Sequence, residues 1–221
     1  MCGRYLFTEA ESEDIQNIIN DVESRTGEGT VKRGEIFPTD RVPVLLPLGD
    51  SVRPELLTWG FLGFRGGKSI IINARSETAH EKQMFRNSLN SRRCIIPSTG
   101  FFEWGPVIIN SEGKPENLNG DSQISLWETK PPSRPSNKTK KQKYLFSLLG
   151  EKVLYMAGLY NVFDGESRFV ILTTKANSSV EDVHSRMPLI LRAELINDWL
   201  FNSEQVEELL QESPILKKVA V

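Results

Sequence analysis

Residues 92–105 read RRCIIPSTGFFEWG, and their pattern decides what kind of fold the chain builds. An apolar run ending at Pro97 gives way, after Gly100, to a second run rich in aromatic residues. Such a stretch reads as strand, broken at the proline and the glycine. Where the chain is extended, alternate side chains share a face, so Phe101 and Glu103 point one way and Phe102 and Trp104 the other. A glutamate among aromatic rings has two readings. It is a general acid or base whose pKa is lifted by its surroundings, or it is the solvent-facing residue of a core strand.

The same strand character extends outward in both directions. Upstream, RVPVLLPLG and VRPELLTWGFLGF read as short strands interrupted by proline, which suits edge or bulged positions. Gly66 and Gly67 mark a turn before KSIIINARSE. Downstream, KYLFSLLG, LYMAGLYNVF and RFVILTTK are three further strand candidates. Helical spacing appears near the ends: Ile15, Ile18, Ile19 and Val22 follow acidic residues, and RAELINDWLF and SEQVEELLQE read helical. Many strands with few helices between them predict an α+β single domain over residues 1–221. Its expected centre is a curved, barrel-like sheet, mixed or antiparallel, flanked by helices.

Residues 106–143 are dominated by Pro, Asn, Ser, Gly and Lys and predict a polar, flexible insertion, with ISLWETK as a strand candidate inside it. The lysines at 138, 140, 141 and 143 read either as a solvated loop or as a nuclear-import or phosphate-contacting patch. Length and composition narrow the function classes. The 221 residues are 38% hydrophobic and 25% charged with a formal net charge of −2, values of an ordinary globular protein. No apolar run approaches the roughly 20 residues that span a bilayer. The N-terminal sequence lacks the basic-then-apolar pattern of a signal peptide, so an intracellular protein without membrane association is expected. Two cysteines, Cys2 and Cys94, exclude a disulfide framework, and two histidines without CxxC or HExxH spacing make a metal site unexpected. A near-neutral chain that binds nucleic acid does so through a local patch.

Three other stretches carry chemistry. In MCGRYLFT, removal of Met1 would leave Cys2 with a free α-amine and a thiol on adjacent carbons. A 1,2-aminothiol condenses with an aldehyde to an imine, which the thiol closes to a thiazolidine; the plainer reading is an inert exposed thiol. In INARSE, Asn73 and Arg75 lie on one side of an extended segment, an amide beside a guanidinium that suits an anionic substrate or a turn with a surface ion pair. In VHSRMPLIL, His184 and Arg186 are again two apart, able to polarise an oxygen and hold a phosphate, or to be structural. His80, in ETAHEKQMFR, reads as a helix or turn residue.

Taken in order, MCGRY, NARSET with KQMFR, RRCIIPSTGFFEW and HSRMPLIL resemble the SRAP family, the SOS-response-associated peptidases better described as abasic-site processing proteins. The resemblance runs from Cys2 to about Phe201 outside the insertion. Phe102 stands where the family often has tyrosine, and Ser185 where an acidic residue is common; neither removes a group the chemistry requires. The resemblance implies a sensor of abasic sites in single-stranded DNA that forms a thiazolidine DNA–protein crosslink through Cys2. Asn73 would hold the amino terminus and sugar, Glu103 would open the sugar and move protons, and His184 would protonate or stabilise the ring oxygen. Arg4, Arg75, Arg86 and Arg186 would meet phosphates, while Pro38, Trp59 and Trp104 would stack on or separate bases. No cofactor or metal is implied. The expected partners are single-stranded DNA containing abasic sites and replication-fork proteins, the expected state is a monomer, and the expected location is nuclear in a eukaryote and cytoplasmic otherwise. Autoproteolysis or peptidase activity in maturation belongs to the same implication. Two rival readings stand beside it: a cysteine peptidase using Cys2, His184 and Asn73, and a non-covalent single-stranded-DNA module.

Overall fold

A computed structural model describes residues 2–9, 12–63, 69–107 and 141–221. The turn expected at Gly66 and Gly67, the segment ISLWETK and the body of the 106–143 insertion lie outside the described residues. In chain order the elements are β1 (Tyr5–Phe7), α1 (Glu13–Thr26), β2 (Gly34–Ile36), β3 (Arg41–Leu48), β4 (Ser51–Trp59), β5 (Phe61–Leu62) and β6 (Ile70–Ile71). There follow β7 (Asn73–Arg75), α2 (Gln83–Ser91), β8 (Arg93–Ser98), β9 (Gly100–Pro106), β10 (Lys141–Leu148), β11 (Leu154–Phe163) and β12 (Glu166–Lys175). The last are β13 (Arg186–Pro188), β14 (Ile190–Leu191), α3 (Ile196–Phe201), α4 (Val206–Leu209) and β15 (Leu216–Ala220).

The expected α+β domain with a barrel-like sheet is what forms. Strands β12, β4, β3, β8 and β11 pair in that order, and β11 pairs β12 again, closing a five-stranded barrel. All of its pairings are antiparallel except β12 with β4. Pro43, Pro47 and Pro54 lie within β3 and β4 rather than at a sheet edge. The ladder from β3 to β8 is a single pairing, Leu45 with Ile95, between Pro43 and Pro47. Prolines have no N–H to donate, and Pro43 and Pro47 flank that single pairing, where β3 has few hydrogen bonds to lose.

A second sheet, ordered β15–β10–β9–β1–β2, lies beside the barrel. The stretch 92–105 links the two, because β8 belongs to the barrel and β9 to the second sheet. The register aligns Phe146, Phe101, Tyr5 and Ile36 in one row across the second sheet, and all four are buried. Removing each such apolar side chain from water contributes about 1.5–3 kcal/mol.

Helix α1 begins where Ser12 accepts the Ile15 amide at 3.3 Å, and it buries Ile15, Ile19 and Val22. The C-terminal helices are shorter than their sequence suggests: α4 is a single turn, and after Pro214 the chain forms β15, an unexpected strand on β10. The expected insertion is also narrower, since Pro106 closes β9 and Lys141, Gln142 and Lys143 open β10. Among the described residues, no helix is long and apolar enough to cross a membrane.

Candidate functional site

Cys2 lies immediately before β1, and β1 hydrogen-bonds to β9. It is fully buried, which removes the reading of an inert exposed thiol. The Asn73 side-chain amide, carried by β7, donates to the Cys2 carbonyl at 2.9 Å. Its own oxygen Oδ1 is buried and has no hydrogen-bond partner among the described residues. The Cys2 thiol points back to the Arg4 carbonyl at 3.7 Å. Burial first, and the nearby Glu103 carboxylate second, push this thiol up to about 12. Such a thiol is protonated at neutral pH, the opposite of the activated thiolate of a cysteine peptidase.

Glu103 lies on the inner face of β9 with Phe101, as alternation predicts, and is 95% removed from solvent at 5% exposure. Gly105 shares that face. A Cβ at this position would stand 2.9 Å from the Cα of Val183, so the glycine lets the segment before His184 lie directly on β9. The backbone N–H of Arg186 donates to His184 Nδ1 at 3.0 Å. The same Nδ1 lies 3.1 Å from the Arg186 carbonyl, so both backbone groups of Arg186 hold this edge of the ring. The structure therefore brings Cys2, Asn73 and Glu103 together, with the His184 segment packed against the glutamate's strand. Among the described residues, no cluster of His, Cys, Asp and Glu has the arrangement to hold a metal ion.

The basic and aromatic candidates divide. Arg75 and Arg86 are exposed, Pro38 is half-buried in the turn after β2, and Trp104 is partly exposed on the outer face of β9. Arg4 lies under that tryptophan, its guanidinium 4.8 Å from the ring centroid and 4.3 Å from that of Phe37. Arg186 forks onto the Glu77 carboxylate at 2.5 and 2.9 Å and donates to the Thr173 carbonyl, tying β13 to the turn after β7. Trp59 requires a correction. It is fully buried, packed between Tyr5 and Phe169, with its N–H on the Ile72 carbonyl at 2.9 Å, so it offers no face to a base. His80 is an exposed turn residue 3.7 Å from Glu81.

Sequence reasoning passed over Glu35 and Phe37. Glu35 accepts from Arg4 at 3.0 Å and from Lys143, and Phe37 is an exposed ring beside Arg4. The signal was weak because Glu35 reaches Lys143 only through the strand order of the second sheet.

Comparison with known proteins adds four findings. The family model described as SOS response associated peptidase (SRAP) matches residues 1–121 and 126–220. The abasic site processing protein YoqW of Bacillus subtilis is 31% identical over 216 residues, covering 90% of this chain and 80% of YoqW. The abasic site processing protein YedK of Escherichia coli is 24% identical over 206 residues, covering 90% of this chain and 79% of YedK. A crystal structure of a protein from Bacteroides thetaiotaomicron superposes with a TM-score of 0.69 at 21% identity, over all of this chain and 92% of that one, a likeness of fold alone.

Proposed function

This chain belongs to the SOS response associated peptidase (SRAP) family, and from that premise we propose that it captures abasic sites in single-stranded DNA as a covalent thiazolidine on Cys2. The reading is carried by one observation: the Cys2 carbonyl is pinned by Asn73 beside the buried carboxylate of Glu103.

The chemistry requires Met1 to be removed, which frees the α-amine of Cys2. An unperturbed α-amine has a pKa of about 7.7–8.0, so an appreciable fraction, about a tenth, is already the nucleophilic free base at pH 7. Its nitrogen adds to the open-chain C1′ aldehyde of the abasic sugar, and loss of one water gives an imine. The Cys2 sulfur then adds to the imine carbon while the thiol proton passes to the nitrogen, closing the five-membered ring. No oxidant or reductant enters, and one water is the sole by-product. With its thiol protonated, Cys2 attacks first through the amine. Glu103 is placed to relay protons during imine formation and thiol addition. His184, its ring held at Nδ1 by the Arg186 backbone, is suited to protonate the sugar ring oxygen as the hemiacetal opens. Asn73 orients the amino terminus without competing for its proton. Arg4, Arg75 and Arg86 supply phosphate contacts, and Trp104 with Pro38 supplies apolar faces for flanking bases.

Intact-mass spectrometry after incubation with an abasic oligonucleotide tests the proposal. The expected product is the protein without Met1 plus one oligonucleotide, less one water. Absence of any abasic-dependent adduct from chain lacking Met1 would overturn it and favour a non-covalent module.

A further inference from the structure

The outer face of the second sheet carries a row of alternating rings and charges that begins at Arg4, two residues from Cys2. Lys143 on β10 pairs across to Trp104 on β9, and its ammonium lies 3.9 Å from the centroid of Phe102. Arg4 lies beyond, between the rings of Trp104 and Phe37. Glu35, on the edge strand β2, bridges the two cations: one carboxylate oxygen accepts from Arg4 at 3.0 Å and the other from Lys143. Arg4 Nε is buried without a hydrogen-bond partner among the described residues. Both partners hold the Glu35 carboxyl below the usual carboxylate range, the Lys143 hydrogen bond being the larger influence.

We propose that Glu35 is a stand-in for a DNA phosphate, bridging Arg4 and Lys143 until a phosphodiester of the bound single strand displaces it. Lys143 is then a further strand contact and Phe37 a further stacking face, and Glu35 sets the affinity by competing for the same cations. The chemistry fits in three respects. The two non-bridging oxygens of a phosphodiester reproduce the two-oxygen bridge that the carboxylate makes. Two cations against one carboxylate leave a net positive charge to attract an anion. The exposed ring of Phe37 and the partly exposed ring of Trp104 flank Arg4 and offer stacking surfaces, which is how single strands are bound without base readout. Glu35 is about one-third exposed and lies on an edge strand, so its side chain can swing into water when the phosphate arrives.

This inference rests on the reading of the protein as a single-stranded-DNA binder, and its test is separated from the covalent step. Fluorescence anisotropy is measured with a labelled single strand carrying tetrahydrofuran, an abasic analogue that has no aldehyde. Glu35→Gln is expected to bind about 3- to 10-fold more tightly than wild type near 0.1 M salt, and Lys143→Ala about 3- to 10-fold more weakly. The slope of log K against log salt should fall by about 0.7 in Lys143→Ala, one phosphate contact fewer. In the Lys143→Ala background, Glu35→Gln should have a visibly smaller effect. Unchanged or weaker binding by Glu35→Gln would overturn the proposal, and a lowered melting temperature beside it would make the bridge a structural brace. The crosslinking reading is scored separately, on denaturing gels with an aldehyde-bearing strand. Tighter binding by Glu35→Gln without any adduct from wild type would sink that reading alone.

Discussion

The Asn73 side-chain amide donates to the carbonyl of Cys2 at 2.9 Å across 71 residues of sequence. This bond fixes the carbonyl side of Cys2. Replacing Asn73 with alanine removes a buried hydrogen bond, an effect of about 1–3 kcal/mol. The expected result is adduct formation slowed by about 5- to 100-fold, while binding to a tetrahydrofuran strand changes little. Equal losses in both would show that Asn73 holds the strand rather than the nucleophile.

Cys2→Ala and Cys2→Ser separate the two nucleophiles of the aminothiol. Each keeps an α-amine once Met1 is gone, so each is expected to form an imine that borohydride reduction traps. Neither should give an adduct that survives heating without borohydride. A heat-stable adduct from Cys2→Ala would place the bond elsewhere.

The buried thiol has a pH signature. In the form that retains Met1, alkylation of Cys2 by iodoacetamide should rise about tenfold per pH unit from pH 7 to 10 without a plateau, because its pKa is pushed up to about 12. A plateau near pH 7 would instead reveal an activated thiolate. Stability follows the same sign. Burial raises Cys2, Cys94 and Tyr5 alike, so their contribution is complete below their ordinary values and is lost as pH climbs through the raised ones. The melting temperature should therefore fall as pH rises past about 9.

The Arg186–Glu77 pair makes a prediction of opposite sign. Arg186 holds the Glu77 carboxyl below its usual range, chiefly through their hydrogen bond. The pair's stabilisation is present above the ordinary carboxylate value and disappears as pH falls through the lowered one. Glu77→Gln should lower the melting temperature at pH 7 by about 2–4 °C, as a loss of about 1 kcal/mol does in a protein of this size. Below about pH 4 the wild type and the variant should converge. A constant difference across pH would mean that the effect is not ionic.

The two tryptophans flanking the site should behave as opposites. Trp59→Ala empties a fully buried position and should cost about 3–5 kcal/mol of stability in a denaturant titration. Trp104→Ala removes a partly exposed ring and should leave stability nearly unchanged, while weakening single-strand binding by about 1–3 kcal/mol. The reverse pattern would contradict the assignment of Trp59 to the core.

Legibility from sequence followed how local each signal was. Helix α1 could be read because acidic residues and isoleucines at helical spacing lie within one short stretch. The faces of Glu103 and Trp104 could be read because strand alternation needs no knowledge of neighbours. The residues of the four motifs could be found, but their convergence could not be derived from spacing; the family resemblance supplied that expectation, and contacts such as Asn73 with Cys2 gave it geometry. Trp59 was misplaced because an aromatic residue beside a glycine looks the same whether it is exposed or packed between Tyr5 and Phe169. Strand β15 was missed because Lys217 and Lys218 obscure its pattern, and its strand character depends on pairing with β10, about seventy residues earlier.

Pro106 and Lys141 are directly paired across β9 and β10. The polypeptide between them thus departs and returns at one point of the sheet, and that has an evolutionary and an engineering meaning. Lengthening a loop anchored in this way costs only about 0.6 kcal/mol per doubling. Lineages can therefore rewrite this stretch without disturbing Glu103 three positions upstream. A guest domain spliced between Pro106 and Lys141 would join the scaffold at this one point of the sheet and leave the register of β9 and β10 as it is.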